Sequence, residues 1–188
     1  MQYLFSLLLV LAYLSQSCSN KEFETEFAEI DKLTEWVDSA EIYIEAIDSA
    51  PVMISYQKYG KHIKTIQKLY APDTVDTLFA RQLMMYKTIK GAGKSLTSDL
   101  YKYRNEILFS RKNLKALKEN IQAGTFPEDS VKSYLADEQK AIKNLLEGTR
   151  FMKKYSEMAL DNFRKYNPFI EERVQLLQQI ADSTKQSE

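Results

Sequence analysis

The stretch YKTIKGAGKSLTSDL, residues 86–100, supports two readings that lead to different folds. As chemistry, Gly93-Lys94-Ser95 could close a loop of the form G-x-x-x-x-G-K-[ST], whose backbone N–H groups cradle phosphate after a β-strand. As geometry, Ile89, Gly93, Leu96 and Leu100 recur at helical spacing. The loop needs a glycine at position 88, where the chain has Thr88. It also needs a preceding strand, which the apolar pattern does not supply. The helical phase runs straight through. The stretch is therefore expected to be helix over 89–100 and to bind no nucleotide. Gly91, Ala92 and Gly93 then mark either the approach of another helix or a local bend.

The same phase extends in both directions. Val75, Phe79, Tyr86, Ile107, Leu114, Leu117 and Ile121 keep it, with Gln82 and Ser110 at remaining seam positions, so one segment covers 73–123. Pro72 precedes it, with Asp73 or Thr74 as cap. Gly124 suits a helix C-cap, and Thr125 with Glu128 around Pro127 suits a capping box. Before this segment, Phe23, Ile30, Val37 and Ile44 lie seven apart, with Leu33, Ala40 and Ile47 between them. Pro51 interrupts the run, because proline lacks an N–H and clashes with the preceding turn. Asp48 or Ser49 can cap a new start. Val52, Tyr56, Tyr59, Ile63, Ile66 and Tyr70 then carry a seam displaced by one residue. After Pro127, Val131, Leu135, Ile142, Leu145, Met152, Ala159, Phe163, Tyr166 and Ile170 continue, and Asn167-Pro168 is expected to kink or restart the helix. Val174, Leu177 and Ile180 lead to a polar tail expected to fray.

Three arms follow, near 22–70, 73–123 and 128–183, and short links make neighbouring arms antiparallel. The expected fold is all-α: an elongated antiparallel helical bundle of three arms of about 50 residues, each about 75 Å long at 1.5 Å per residue. The first arm is broken at Pro51. The alternative is a four-helix bundle with a hairpin at Pro51. The bundle domain would span 22–183, with a frayed tail at 184–188.

Composition agrees. Of 188 residues only 5 are Gly and 4 Pro, which leaves little material for turns. The 26 acidic and 26 basic residues cancel, which argues against a strong grip on nucleic acid or anionic lipid. One cysteine excludes an intrachain disulfide and a cysteine-based zinc site.

That cysteine, Cys18, follows an uncharged run in which Leu4 to Leu14 is apolar except for Ser6. The run is too short to span a bilayer and fits a secretory signal peptide over 1–17, with Ser15 and Ser17 at the small positions before a cut. AYLSQSC resembles the lipobox of bacterial lipoproteins, in the loose form found in Bacteroidota, with Ser15 and Ser17 where the usual pattern has Leu and Ala or Gly. The resemblance implies acylation of Cys18, a lipidated tether at 18–21 and membrane attachment. Ser19, in place of Asp, implies passage to the outer membrane. Glu22, Glu24 and Glu26 resemble a surface-export signal, or else form an acidic first helical turn. Periplasmic and surface placement both remain open.

Other residues that could carry chemistry have simpler readings. His62 is the only histidine; it lies beside Ile63 among Lys58, Lys61, Lys64 and Lys68, and is expected on a solvated face. Tyr59 stands where a di-iron Glu-x-x-His motif would need glutamate. Glu138 falls on the last seam, where it is expected to pair across the bundle or mark an imperfect layer; Ser110, Thr149 and Ser156 also interrupt seams. The tyrosines, 12 in all, sit mostly at core spacing. No catalytic, cofactor or metal residue is assigned. The expected function is a non-enzymatic, lipid-anchored envelope protein that binds a protein partner or acts as a scaffold. The alternative is a ligand-binding or chaperone-like module with an apolar cargo.

Overall fold

The computed structural model describes residues 23–71 and 76–186. The chain is all-α there, with no strand among the described residues. Among those residues six helices follow in order: α1 Glu24–Glu45, α2 Ser49–Leu69, α3 Thr77–Tyr86, α4 Thr88–Ser98, α5 Leu100–Gln122 and α6 Glu128–Gln186. The expected signal peptide, Cys18 and the expected tether lie outside the described residues. No described helix is long and apolar enough to cross a membrane.

Several boundaries follow from local chemistry. The helix is interrupted before Pro51, between Glu45 and Ser49. Ile47 N–H bonds the Ile44 carbonyl at 3.2 Å, and Asp48 takes an extended conformation. Pro51 then sits in the first turn of α2, where its missing N–H would have had no partner. Gly124 adopts φ +64°, and Gly124 N–H to Ile121 O and Thr125 N–H to Asn120 O, each 3.0 Å, close a Schellman cap on α5.

Other expectations are corrected. The cap of α3 is Asp76, whose carboxylate accepts from Phe79 N–H at 2.9 Å, and not Asp73 or Thr74, which lie outside the described residues. Thr125 does not cap α6, because its hydroxyl turns back to the Asn120 carbonyl at 3.2 Å. The long middle helix is divided at Lys87 and Asp99. Side-chain oxygens compete with the backbone at both points. Thr88 Oγ1 bonds the Met85 carbonyl at 2.7 Å, while Ser95 and Ser98 donate to Asp99 at 2.8 and 2.7 Å and hold its carboxyl below the usual range. In contrast, Pro168 does not restart α6, which is unbroken through it. Proline inside a helix costs about 3 kcal/mol. Burying Phe163, Ile170 and Val174 around it, at about 1.5–3 kcal/mol each, outweighs that. The tail also stays helical through Gln186, with Thr184 Oγ1 bonding the Ile180 carbonyl.

The described residues form two compact units. The first comprises residues 23–42 with Arg104–Gly148. Its core takes Ile30, Leu33 and Val37 from α1, Leu114 and Ile121 from α5, and Val131, Leu135 and Ile142 from α6, all buried. Arg111 forks to Asp38 and Glu41, 2.7 Å each, and Lys118 pairs with Asp31 at 2.5 Å, so these parts of α1 and α5 run antiparallel. Glu138 is half-buried and accepts from Asn113 at 3.1 Å, which explains a carboxylate on that seam.

The second unit comprises the described parts of 43–103 with 149–186. Its buried stripe on α2 is Val52, Ser55, Tyr59, His62 and Ile66. The expected seam members Tyr56 and Ile63 flank it, half-buried. Against this stripe lie Phe79, Tyr86, Ile89, Ala92, Gly93 and Leu96, and from α6 Met152, Ala159, Phe163 and Ile170.

Candidate functional site

The GAGKS segment is helical in α4, and its glycines are contact points. A Cβ on Gly93 would overlap the Tyr56 ring of α2, and one on Gly91 would overlap the Tyr155 hydroxyl of α6. Tyr155 donates that hydroxyl to the Thr88 carbonyl at 3.2 Å. Small residues here let two tyrosines reach the backbone of α4, as the helical reading requires.

The densest polar cluster of the second unit surrounds His62, which is buried rather than solvated. Burial follows from its place on the α2 stripe, three residues from Tyr59 and four from Ile66. Its Nδ1 lies 3.0 Å from the Tyr86 hydroxyl. Tyr86 donates to Asn167 Oδ1 at 3.1 Å, and Asn167 Nδ2 donates to Glu171 at 3.2 Å. Lys58 closes the chain on the same Glu171 oxygen at 3.0 Å, with its side chain still 38% exposed. Tyr86 has one proton and gives it to Asn167, so its oxygen is left to accept from His62 Nδ1–H. Burial, then Lys58, pushes the His62 pKa down, and burial pushes the Tyr86 phenol well up. Lys58 holds Glu171 below the usual carboxylate range.

Tyr86 is fully buried, stacked on Phe163 with centroids 5.1 Å apart and tilted on Tyr59 at 5.5 Å. The network therefore bolts α2, α3 and α6 at one level. Beside it runs an open groove of about 490 Å³ between α2 and α6, with His62, Lys58 and Glu171 in its wall. His62 Nδ1, the Tyr86 hydroxyl, the Asn167 amide, a Glu171 oxygen and Lys58 are thus linked in one chain of contacts. Among the described residues no group of three His, Cys, Asp or Glu is placed to hold a metal ion.

A second feature is a surface that periodicity for the core did not reveal. Phe151 is 67% exposed, Phe169 51%, Leu176 45% and Ile180 56%. Phe151 and Phe169 are 18 residues apart, five full turns, and so share one direction on α6. Tyr155, Met158, Asn162, Arg173, Leu176 and Ile180 lie within about 40° of it at 100° per residue. This stripe is distinct from the buried Met152–Phe163–Ile170 face. Across the adjoining groove stand Leu78 and Met84 of α3, both exposed. Arg173 pairs with Asp76 and lies over the Phe79 ring, 5.0 Å from its centroid, so α6 is fixed to α3 along the groove.

The fold and these features define an all-α protein of packed amphipathic helices with a polar bolt and an uncovered apolar stripe. Comparison with known protein families, curated proteins and solved structures finds no match.

Proposed function

We propose that the protein is a non-enzymatic, lipid-anchored helical module of the bacterial cell envelope that works by binding a protein partner. The observation that carries the partner reading is the exposed stripe from Phe151 to Ile180. Large exposed apolar side chains recurring on one face of a folded helix are a feature of interaction surfaces. The anchor reading rests on Cys18 behind an apolar run, resembling a lipoprotein signal, with attachment to the outer membrane on its periplasmic or outer face. The three-arm topology is part of the proposal. It is supported by the antiparallel pairing of Asp31 with Lys118 in one unit and of Asp76 with Arg173 in the other.

Two experiments test this. Cells given labelled fatty acid should mark the protein and retain it in membranes, and Cys18→Ser should be released or left unprocessed. Full retention of a processed Cys18→Ser chain would end the anchor reading. Phe169→Glu should abolish association with whatever partner the wild-type chain holds in cross-linked envelopes. An unchanged cross-link pattern would remove the stripe from the function.

A further inference from the structure

We propose that the stripe on α6 is the interface of a homodimer, in which α6 of one copy lies antiparallel against α6 of a second. This rests on reading the stripe as a partner surface and names that partner. The stripe is self-complementary about a point between Lys165 and Tyr166. An antiparallel two-fold there sets Phe151 against Ile180 of the second copy and Tyr155 against Leu176, apolar on apolar at both ends. Asn162 meets Phe169, and Met158 meets the aliphatic stem of Arg173.

Charge selects the orientation. Lys87, Lys90 and Lys94 flank the Phe151–Met158 end, and among the described residues no carboxylate pairs with them. Glu172 flanks the Phe169–Leu176 end, where Asp76 already pairs with Arg173 of the same copy. Antiparallel pairing brings the lysines of one copy to Glu172 of the other. Parallel pairing would stack lysine on lysine, at a cost in stability. The exposed side chains of Phe151, Met158, Phe169, Leu176 and Ile180, with Leu78 and Met84 across the groove, are the apolar surface that the pairing would cover. Lys165 is an unfavourable member at the axis, where it faces Tyr166 of the second copy and lies one residue from its own counterpart.

Sedimentation equilibrium of the full chain up to about 100 µM should show a monomer–dimer equilibrium. Phe169→Glu and Leu176→Glu should each weaken it at least about tenfold with the helical circular dichroism unchanged, since both residues are exposed. Ile54→Glu, equally exposed but on α2, should leave it intact. Lys165→Leu should tighten it. In a Cys18→Ser background, a spin label at 165 should report a short distance between copies. One at 154 should report a separation of about 35 Å, from 1.5 Å per residue. A short distance at 154 would overturn the antiparallel pairing. A dimer indifferent to Phe169→Glu would overturn the interface. A monomer that binds anionic vesicles or another envelope protein through Phe169 would overturn the homodimer. Of these, the protein-bound monomer keeps the partner reading and the vesicle-bound monomer does not. A monomer with no Phe169-dependent binding would overturn both.

Discussion

Gly93 of α4 lies directly beneath the ring of Tyr56 from α2, so closely that a methyl group on Gly93 would overlap the Tyr56 Cβ and ring. Gly93→Ala must move a buried helix or expel a half-buried tyrosine. It is expected to cost about 1–3 kcal/mol, the range for overpacking. Gly60, in the middle of α2, has nothing within 4 Å of its would-be Cβ. There Gly60→Ala should stabilise by about 1 kcal/mol through helix propensity. Urea midpoints of the two variants should shift in opposite directions. Two shifts of the same sign would contradict the close approach at Gly93.

The His62 network predicts a pH dependence. The folded His62 pKa lies below its ordinary value, so below about pH 6.5 the unfolded chain binds a proton that the folded chain resists. Stability should be full above that pH and fall as pH drops toward the folded pKa. Glu171 adds a second loss at lower pH, below the usual carboxylate range. His62→Gln should flatten the slope between pH 7.5 and 5.5, read by thermal melts. A slope unchanged by His62→Gln would remove His62 as its source.

Tyr86→Phe keeps the ring stacked on Phe163 and removes only the hydroxyl that joins His62 to Asn167. Buried His62 and half-buried Asn167 then each lose a partner, and the expected cost is about 1–3 kcal/mol. Arg111→Ala in the other unit removes three hydrogen bonds to Asp38 and Glu41, yet the guanidinium is 37% exposed. Screening should limit its effect to below about 1 kcal/mol and make it shrink with salt. If Arg111→Ala proved costlier than Tyr86→Phe, burial would not be what ranks these two interactions.

Paired spin labels test the arms within each unit. Labels at 24 and 124 should lie one helix spacing apart, as should labels at 71 and 183, with axes about 8–10 Å apart. A long distance in either pair would discard the three-arm topology.

Much of the helical framework was legible because an amphipathic helix writes its buried face every three to four residues. Ile30, Leu33 and Val37, or Leu114, Leu117 and Ile121, are core by spacing alone and are buried. Gly124 and Pro51 announced their turns by what their backbones permit. The small residues 91–93 announced a close approach, although not that Tyr56 and Tyr155 make it. Periodicity failed where a polar residue held a core position. On α2 an apolar count prefers Tyr56 and Ile63, yet the buried stripe passes through Ser55 and His62. The breaks at Lys87 and Asp99 were hidden as well, because the apolar phase continues across both.

Helix content, the main seams and the rejection of a phosphate loop at residues 86–100 follow from local sequence, since each depends on neighbours within a few turns. The burial of His62 comes instead from packing between distant parts of the chain. Its partner Tyr86 is 24 residues away and the next, Asn167, is 81 further along. Packing also selects which of two apolar stripes on α6 is covered. Met152 and Phe151 are equally hydrophobic to any local reading, and what separates them is which face of α6 the other helices of the unit cover.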